Sequence, residues 1–450
     1  METERRRLLV VGGGWSGIAA AVQAVQKGWA VTLVEERPYL GGRARSFIDR
    51  TTGEEIDNGQ HLFMGAYHAA LKVVRTLGTE RSLRIQPSLR VCFVDTHQRL
   101  DVLHADRFSG AIGVADAIMR LSHLPLFSRI AIIRLAVRIR LGMISGTGLT
   151  CRNLLNREKQ PTDAIERFWE PIILATLNAP SDKADARLLV AVMKLAFLGD
   201  KDDSKLIIPT RGLSHVIGSF PSWLETHQGE CLLSTSCDQI HIIDGRVTSV
   251  ELSDGRSLPV DAVVTAIPER ALNRLLNGEQ SFAAGDYSPI VSVYLWYDQM
   301  WMEEEFVATL GTTIQWVFNK RRMNTDGEPS TRAHFPGHVS LTISAGSALA
   351  ERSTDDIIHA CDGELRMLFP ELVSVNLLHG VVIKEKTATP LITPDTIRPK
   401  VNSFINVASN LAIAGDWTDT GLPATIEGAA RSGVTAVEWL SSSTTVAPVS

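Results

Sequence analysis

The sequence LLVVGGGWSGIAA, residues 8–20, decides the fold. Its first four residues are apolar and predict a buried strand, and its alanine-rich end predicts a helix. Gly12, Gly14 and Gly17 match the pattern G-x-G-x-x-G. In that pattern the first glycine permits a tight turn, the second lets the backbone approach a pyrophosphate, and the third lets the helix pack on the strand. The stretch predicts a dinucleotide site, although glycine turns also occur for purely structural reasons.

Two neighbouring features favour the dinucleotide interpretation. The predicted helix begins with Trp15 and Ser16, whose N–H groups would face the phosphates. A second predicted strand, residues 30–34, ends in Glu35, which is about where an acid binds a ribose hydroxyl.

The composition limits the class of protein. A chain of 450 residues is too long for one hydrophobic core and predicts two or more domains. The net charge of −5 gives no reason to expect nucleic acid. Five cysteines without a C-x-x-C pair favour a reducing compartment over a disulfide framework or a zinc site. The start of the chain does not resemble a signal peptide, and no stretch of ~18 apolar residues is present. We therefore expect a cytoplasmic protein.

Two more motifs follow the second strand. A glycine pair precedes an arginine at Gly42 and Arg43, where the backbone can pass close to a ligand and the guanidinium can meet a phosphate. The sequence DNGQH, residues 57–61, predicts a turn after a hairpin. The glycine pair with its arginine is also typical of an ordinary polar loop, but the glycine motif upstream favours a ligand site.

The middle of the chain is predicted to be helical near residues 110–121, 127–143 and 184–198. Residues 124–144 are strongly apolar, with four arginines spread among them: Arg129, Arg134, Arg138 and Arg140. On an ideal helix two of these arginines point almost opposite the other two, which is not the pattern of a clean amphipathic membrane anchor. A core helix of a substrate domain and a peripheral membrane contact both remain open.

Aromatic residues mark two regions that could line an apolar cavity. The sequence FWEP, residues 168–171, precedes an apolar helix. Predicted antiparallel strands lie near residues 290–298, 312–318 and 339–344, and side chains two apart on a strand share a face. The candidate side chains are Trp169, Glu170, Tyr294, Trp296 and Trp316. Ordinary packing is the alternative for both regions, and on the strands an aromatic stripe is usually sheet packing.

The last informative stretch is residues 411–430, which predicts a buried strand, a polar loop and a helix of small residues. The strand ends in Gly415 and Asp416, and an acid there can bind ribityl or ribose hydroxyls. The helix begins near Thr425 and Ile426, where free N–H groups can face the electron-rich edge of a flavin. The two halves of one nucleotide site would then lie at opposite ends of the chain.

These separated motifs together resemble the superfamily of FAD-dependent amine oxidases and carotenoid desaturases. Within it, the stretches 57–61, 168–178 and 414–425 are similar to the squalene-associated branch. The resemblance implies an α/β fold with a Rossmann-like FAD-binding domain assembled from discontinuous segments, plus an α+β substrate domain with an antiparallel sheet and helices. The implied FAD-binding segments are 1–77, 206–280 and 391–440, the substrate segments are 78–205 and 281–390, and 441–450 is a disordered tail.

The resemblance further implies an activity, which is the reduction of hydroxysqualene to squalene in hopanoid synthesis by enzyme-bound reduced FAD. A long apolar isoprenoid is the implied substrate, with contacts to a membrane and to other enzymes of squalene synthesis as further expectations. The positions that match cofactor contacts are Gly12, Gly14, Trp15, Ser16, Gly17, Glu35, Gly42, Arg43, Cys237, Gly415, Asp416, Thr425 and Ile426. Cys237 falls where a backbone contact to the adenine is usual.

An allylic alcohol needs a proton for its departing hydroxyl and electron-rich faces near the cation that remains. His61, Glu170 or an ordered water would supply the proton. Trp169, Tyr294, Trp296 and Trp316 are the candidate faces.

Three absences narrow the hypothesis. There is no second G-x-G-x-x-G, no cysteine in 415–428 for a thioether-linked flavin, and no lysine in 288–298, where many amine-oxidising relatives place one. Two rival functions stay open. One is an oxidising desaturase of a carotenoid-like polyene, and the other is a non-catalytic FAD-binding partner of squalene enzymes.

Overall fold

The glycine turn lies at the end of the central strand of a parallel sheet, which we call the nucleotide sheet. The chain is described here from a computed structural model that covers residues 5–276, 285–324 and 334–443. The strands of this sheet, in spatial order, are Glu230–Leu233, Ala30–Glu35, Arg7–Val11, Ala262–Thr265 and Leu411–Ile413. Segments that are distant in sequence therefore meet in one sheet. The strand before the glycine turn and the strand at the start of the stretch 411–430 both pair with Ala262–Thr265, although they lie about 400 residues apart in the chain.

A second sheet, which we call the substrate sheet, has seven strands. In spatial order these are Leu377–Pro390, Tyr287–Tyr297, Gly337–Ser344, Trp316–Asn319, Phe306–Leu310, Arg90–Asp95 and Leu100–His104. Every neighbouring pair is antiparallel except Phe306–Leu310 with Arg90–Asp95, which is parallel. The predicted strand at 312–318 is wrong in its bounds. The chain there turns through Gly311, with φ of +78°, before the short strand Trp316–Asn319 begins.

Three small antiparallel sheets complete the strands. Their members are Cys237–Ile243 with Arg246–Leu252 and Ser257–Pro259, then Ser46–Ile48 with Glu55–Asp57, and finally Phe63–Met64 with Leu206–Pro209 and Leu83–Ile85.

The α-helices flank both large sheets. Their bounds are Trp15–Gln26, His68–Leu77, Gly110–Arg120, Leu126–Arg140, Cys151–Arg157, Thr162–Ala164, Glu170–Leu177, Ala186–Val192, Phe220–Thr226, Glu269–Leu275, Lys320–Met323, Ser347–Ala350, Thr354–Leu368 and Ile426–Ser443. Short 3-10 turns lie at Glu80–Ser82, Leu213–Val216 and Pro370–Ser374. None of the helices within the described ranges is both long and apolar enough to cross a bilayer.

One predicted helix is interrupted, and irregular helical turns occur elsewhere. After the strand Leu206–Pro209 the chain forms a 3-10 turn, Leu213–Val216, followed by a separate short helix, Phe220–Thr226. The expected helix at 184–198 changes into a π-helical turn, Met193–Phe197. A second π-helical turn, Ile165–Trp169, leads into Glu170–Leu177. Such turns shift side chains around the helix axis and occur frequently at functional sites.

The hydrophobic core consists of several clusters. One lies between the nucleotide sheet and the paired helices Trp15–Gln26 and Ile426–Ser443. Another joins the helical region 110–198 to one part of the substrate sheet. The predicted boundary at 280 lies outside the described residues, as does most of the predicted tail, while the last helix runs past Leu440 to Ser443.

Candidate functional site

A cavity of about 1160 Å³ extends from the carboxyl ends of the nucleotide-sheet strands to the face of the substrate sheet. Its nucleotide end is lined by the glycine turn, the end of the second strand and the stretch after Ile413. Its apolar end is lined by the helical region 110–198 and by substrate-sheet strands.

The glycine turn supplies a tight corner and an open phosphate cradle. Gly12 adopts φ of +104°, and a Cβ on Gly17 would lie 1.9 Å from the Gly12 carbonyl oxygen, so helix and strand touch only because no side chain is present. A Cβ on Gly14 would meet nothing within 4 Å, because this residue faces the cavity. The helix that starts at Trp15 has no side-chain cap and no acid in its first turn, so its N–H groups stay free for an anion.

Glu35 stands at the entrance to this cradle. Its carboxylate accepts hydrogen bonds from the Gly13 N–H at 2.6 Å and the Arg37 N–H at 2.9 Å, which orient it at the cavity wall. A carboxylate has about four lone-pair sites, so ribose hydroxyls can still donate to it. Cys237 also lines the cavity, and its half-buried thiol packs towards Gln239.

The far half of the nucleotide end comes from the C-terminal part of the chain. Gly415 ends the last strand with φ of +146°, and the buried Asp416 accepts a hydrogen bond from the Arg43 guanidinium at 2.6 Å. Arg43 also donates to the Ala388 carbonyl at 2.6 Å. Burial disfavours the guanidinium charge, but Asp416 outweighs that cost and the pKa of Arg43 is raised. Thr425 and Ile426 complete this side.

These residues fit an extended dinucleotide. A cradle without side chains, an uncapped helix N-terminus and a carboxylate at a strand end lie along one cavity. Arg43 differs from the expectation in one respect. Its guanidinium is committed to Asp416 and to backbone carbonyls, so it connects the two halves of the site as well as lining the cavity.

The loop 57–61 lies where the nucleotide end meets the apolar end. The first residue of this loop, Asp57, is held in place by two hydrogen bonds. Its carboxylate accepts one from the Ser46 hydroxyl at 2.7 Å and one from the Leu213 N–H at 2.9 Å. The hydroxyl of the buried Tyr294 donates to the Asp57 carbonyl at 2.9 Å. His61 ends the loop and lines the cavity.

The tautomer of His61 follows from its partner. Its Nδ1 lies 2.7 Å from the Gly59 carbonyl oxygen, and a carbonyl only accepts, so Nδ1 carries a proton and Nε2 is left for the cavity. Burial lowers the pKa of His61 below its ordinary value of 6.5, against the opposing effects of the Gly59 bond and Asp57. The imidazole is therefore neutral near neutral pH, and its imidazolium form is a comparatively strong acid.

Sequence reasoning missed a buried lysine behind this loop. Lys320 is 2% exposed and donates to the Gln60 amide oxygen at 2.7 Å, with its ammonium 3.7 Å from the Asp57 carboxylate. Burial lowers the pKa of Lys320, and the carboxylates of Asp57 and Glu55 oppose that shift. The lysine holds Gln60, which lines the cavity beside His61. No spacing signal links residue 320 to the loop, because only the tertiary fold brings them together.

The apolar end is free of charged side chains along its helical wall. Among lining residues between 89 and 206, only Thr176 and Asn178 are polar. Both π-helical turns contribute, with Phe168 from the first and Met193 and Phe197 from the second. The substrate sheet adds Trp316 and Phe318, which stack at 6.2 Å.

The structure separates the remaining sequence candidates from the cavity. Trp169 is fully buried and donates to the Gln160 amide oxygen at 2.9 Å, because the π-helical turn points its neighbour Phe168 inward instead. Glu170 accepts a bond from the Ser181 N–H at 3.0 Å and faces Arg152.

Two strand candidates are also absent from the described lining. Tyr294 supports the loop through Asp57, and Trp296 stacks on His338 at 4.3 Å in the core. The structure thus brings His61 and Trp316 to the cavity together with the predicted cofactor residues except Gly17, which instead lets the helix pack against the Gly12 carbonyl.

The chain matches the family model for flavin containing amine oxidoreductases over residues 15–440. It is 29% identical over 94% of its length to a hydroxysqualene dehydroxylase of Rhodopseudomonas palustris, covering 96% of that protein. It is 27% identical over 97% of its length to one of Sinorhizobium fredii, covering 98% of that protein. A zeta-carotene desaturase of Synechocystis is 24% identical, with 95% of each chain covered.

The fold also matches solved structures. An oxidoreductase from Methanosarcina mazei superposes with a TM-score of 0.74 at 17% sequence identity, covering 96% of this chain and 99% of that one. At that identity the match establishes the fold alone, which is the predicted α/β architecture with an additional antiparallel sheet and helices.

Proposed function

This chain belongs to the family of flavin containing amine oxidoreductases, and we propose that it reduces hydroxysqualene to squalene in hopanoid synthesis with FAD as its cofactor. The observation that carries the proposal is the cavity, whose nucleotide end continues into a long apolar end without a charged residue along its helical wall. The hydroxysqualene dehydroxylases that it resembles over nearly their whole length supply the substrate class.

The cofactor would lie along the nucleotide end. Gly14, Trp15 and Ser16 would hold the phosphates through backbone N–H groups, and Glu35 would bind the ribose of the adenosine. Asp416 and Thr425 would hold the half that carries the flavin. Gly12, Gly17, Gly42, Gly415 and Ile426 shape the backbone around it, and Cys237 would meet the adenine. When bound in its reduced form, FAD supplies a hydride equivalent, so that alcohol and FADH2 give hydrocarbon, FAD and water.

His61 would supply the proton to the oxygen of the departing hydroxyl. Its Nε2 is the ring nitrogen not engaged by Gly59, and it lies where both ends of the cavity meet. Protonated at Nε2, the imidazole would donate to the departing hydroxyl, and the lowered pKa of His61 makes that transfer favourable. Gln60, held by Lys320, would keep the loop in place.

The apolar end would bind the isoprenoid chain and exclude water. Loss of the hydroxyl leaves an allylic cation on the substrate, which water would otherwise capture. Trp316, with Phe318 stacked on it, is one of the aromatic faces that the cavity presents there, and a desolvated cation over an aromatic ring gains about 2 kcal/mol. The other four candidates would not contact the substrate and would affect the reaction only by positioning the residues next to them. These candidates are Glu170, Trp169, Tyr294 and Trp296.

An anaerobic comparison of substrates tests this function. The purified protein, with its flavin reduced by dithionite, is mixed with hydroxysqualene, and the oxidised protein is mixed with phytoene. We expect hydroxysqualene to reoxidise the reduced flavin and phytoene to leave the oxidised flavin unchanged. The opposite pattern would support the second candidate, an oxidising desaturase of a carotenoid-like polyene, which the similarity to a zeta-carotene desaturase favours.

Two expectations about partners go with this proposal. A substrate as apolar as hydroxysqualene partitions into membranes, so the protein would take it up at a bilayer surface. Contact with other enzymes of squalene synthesis would shorten that transfer. A bound flavin that neither isoprenoid oxidises nor reduces would instead indicate a non-catalytic FAD-binding partner.

A further inference from the structure

The helix Leu126–Arg140 is apolar on two opposite faces. One face packs into the core through residues such as Ile132, Leu135 and Ile139. The other face presents large apolar side chains to the exterior. Phe127 is 69% exposed and Ile130 51%. The exposed positions recur at the spacing of one helical stripe: Leu126, Ile130, Arg134, Val137 and Leu141. Large apolar side chains that stay exposed together on one surface mark a site of contact with another protein or a membrane.

The preceding helix, Gly110–Arg120, repeats this arrangement and forms a wall of the cavity. Val114 and Ile118 line the apolar end, while Ile112 is 69% exposed and Met119 37%. The two helices are consecutive in the chain and pack on each other. We call their exposed apolar residues the docking face: Phe108, Ile112, Met119, Leu126, Phe127, Ile130, Val137, Leu141 and Met143. Only the thickness of a helix, about 10 Å, separates part of it from the cavity.

The charge along the helix Leu126–Arg140 is mainly positive. The chain carries a net charge of −5, yet it contains no aspartate or glutamate from residue 117 to residue 157. The acidic side chains that flank this stretch pair with arginines, namely Asp106 and Asp116 with Arg120, and Glu158 with Arg138. The Arg129 guanidinium donates to the Leu124 and Met119 carbonyls, and Arg134 donates to the Glu158 carbonyl. Arg140 donates to the Leu198 carbonyl. In the described ranges these three arginines form no ion pair, so their positive charge is not neutralised by a carboxylate.

We propose that the docking face seats the protein on a bilayer of anionic lipids, with its apolar side chains in the interfacial region and the arginines facing lipid phosphates. Apolar burial and electrostatic attraction to anionic headgroups are the two contributions that hold helices in that position. The arginines do not gather on one face of the helix, and the feature that marks the face is its exposed apolar stripe. Docking itself is independent of the reaction. Delivery of an isoprenoid from the bilayer into the adjacent cavity rests on the proposed function.

Vesicle co-sedimentation of the full-length protein with its flavin bound tests the proposal. The probes are vesicles of phosphatidylcholine alone and of phosphatidylcholine with phosphatidylglycerol. We expect binding to the anionic vesicles, weaker binding to the neutral ones, and a loss of affinity in salt. The double variant Phe127→Asp and Ile130→Asp should bind at least ~10-fold more weakly, since it removes two apolar contacts and adds two negative charges.

Ile397→Asp is the matched control, because Ile397 is 94% exposed and lies outside the docking face. It should bind vesicles like the parent protein. The proposal is overturned if the parent does not bind, if it binds neutral and anionic vesicles equally, or if the double variant still binds. It is also overturned if the parent is a dimer that the double variant dissociates, since a second copy would then cover the face.

Activity distinguishes this proposal from the proposed function. The double variant should match the parent on hydroxysqualene in detergent micelles and fall behind it on hydroxysqualene in anionic vesicles. If the parent binds vesicles but converts no substrate in either form, the docking stands and the proposed function is wrong.

Discussion

The two ends of the cavity are built by different means. At the nucleotide end, the site is formed mainly by backbone atoms. Its shape depends on glycines, whose missing side chains leave room for a ligand or for a neighbouring strand. At the apolar end, side chains from helices and strands far apart in the chain form the walls. The first end depends on local sequence, and the second depends on how distant segments pack. Substitutions should therefore act differently at the two ends.

The largest effect is expected from Gly17→Ala at the nucleotide end. A Cβ there would lie 1.9 Å from the Gly12 carbonyl oxygen, and two backbone segments cannot separate without opening the phosphate cradle. We expect purified Gly17→Ala protein to contain little or no flavin by absorbance and to unfold at a lower temperature.

Gly363→Ala is the control for this prediction. Gly363 lies in the helix Thr354–Leu368, and a Cβ on it would meet nothing within 4 Å. The same substitution should here raise stability by about 1 kcal/mol, the difference in helix propensity between the two residues. If both variants kept their flavin and melted alike, the close approach at Gly17 would not matter and this contrast would fail.

His61→Ala should have the next largest effect, at the junction of the two ends. We expect an intact flavin spectrum and a kcat at least ~100-fold lower, which is the size of a lost general acid. The pH dependence has a definite sign. An acid whose pKa is lowered below 6.5 is protonated only below that pKa, so kcat of the parent should fall as the pH rises through it. The variant should lose this dependence, and normal turnover in it would remove His61 from the mechanism.

Trp316→Leu should have a smaller effect, at the apolar end. Removing an aromatic face near a desolvated cation costs about 2 kcal/mol, which corresponds to a decrease in kcat of about 30-fold. Trp316→Phe keeps an aromatic ring and should retain most of the activity. Flavin content should stay at the parental level in both variants, since residue 316 belongs to the substrate sheet. Equal kcat for the Leu and Phe variants would show that Trp316 serves only as packing.

Glu170→Gln should have the smallest effect. Glu170 accepts a bond from the Ser181 N–H and faces Arg152 at 3.5 Å, outside the described lining of the cavity. Glutamine keeps an acceptor, and a partly exposed ion pair of this kind contributes about 1 kcal/mol or less. Steady-state assays should give unchanged kcat and KM. A large drop in kcat would restore Glu170 as a candidate acid and weaken the case for His61.

The contrast between the two ends also explains what the sequence could reveal. The turn at 12–17, Glu35 and the stretch after Ile413 were predictable because strand, glycine turn and acid follow one another locally. The sequence did not predict that Phe168 lines the cavity in place of Trp169. This arrangement depends on a π-helical turn, which leaves no periodic signal in the sequence.

Two other features could not be predicted from the sequence for similar reasons. Lys320 reaches the loop 57–61 only through the tertiary fold. The helix Leu126–Arg140 was ambiguous because its apolar residues occupy two faces, and only the packing shows which of them the core covers.

The most direct test of the central claim is product analysis with the dithionite-reduced protein and hydroxysqualene under anaerobic conditions. If one cavity joins a flavin to an isoprenoid as proposed, squalene should form in an amount equal to the flavin, which should return to its oxidised spectrum. The reduced His61→Ala protein should do this far more slowly. Recovery of unchanged hydroxysqualene beside a flavin that stays reduced would contradict the account.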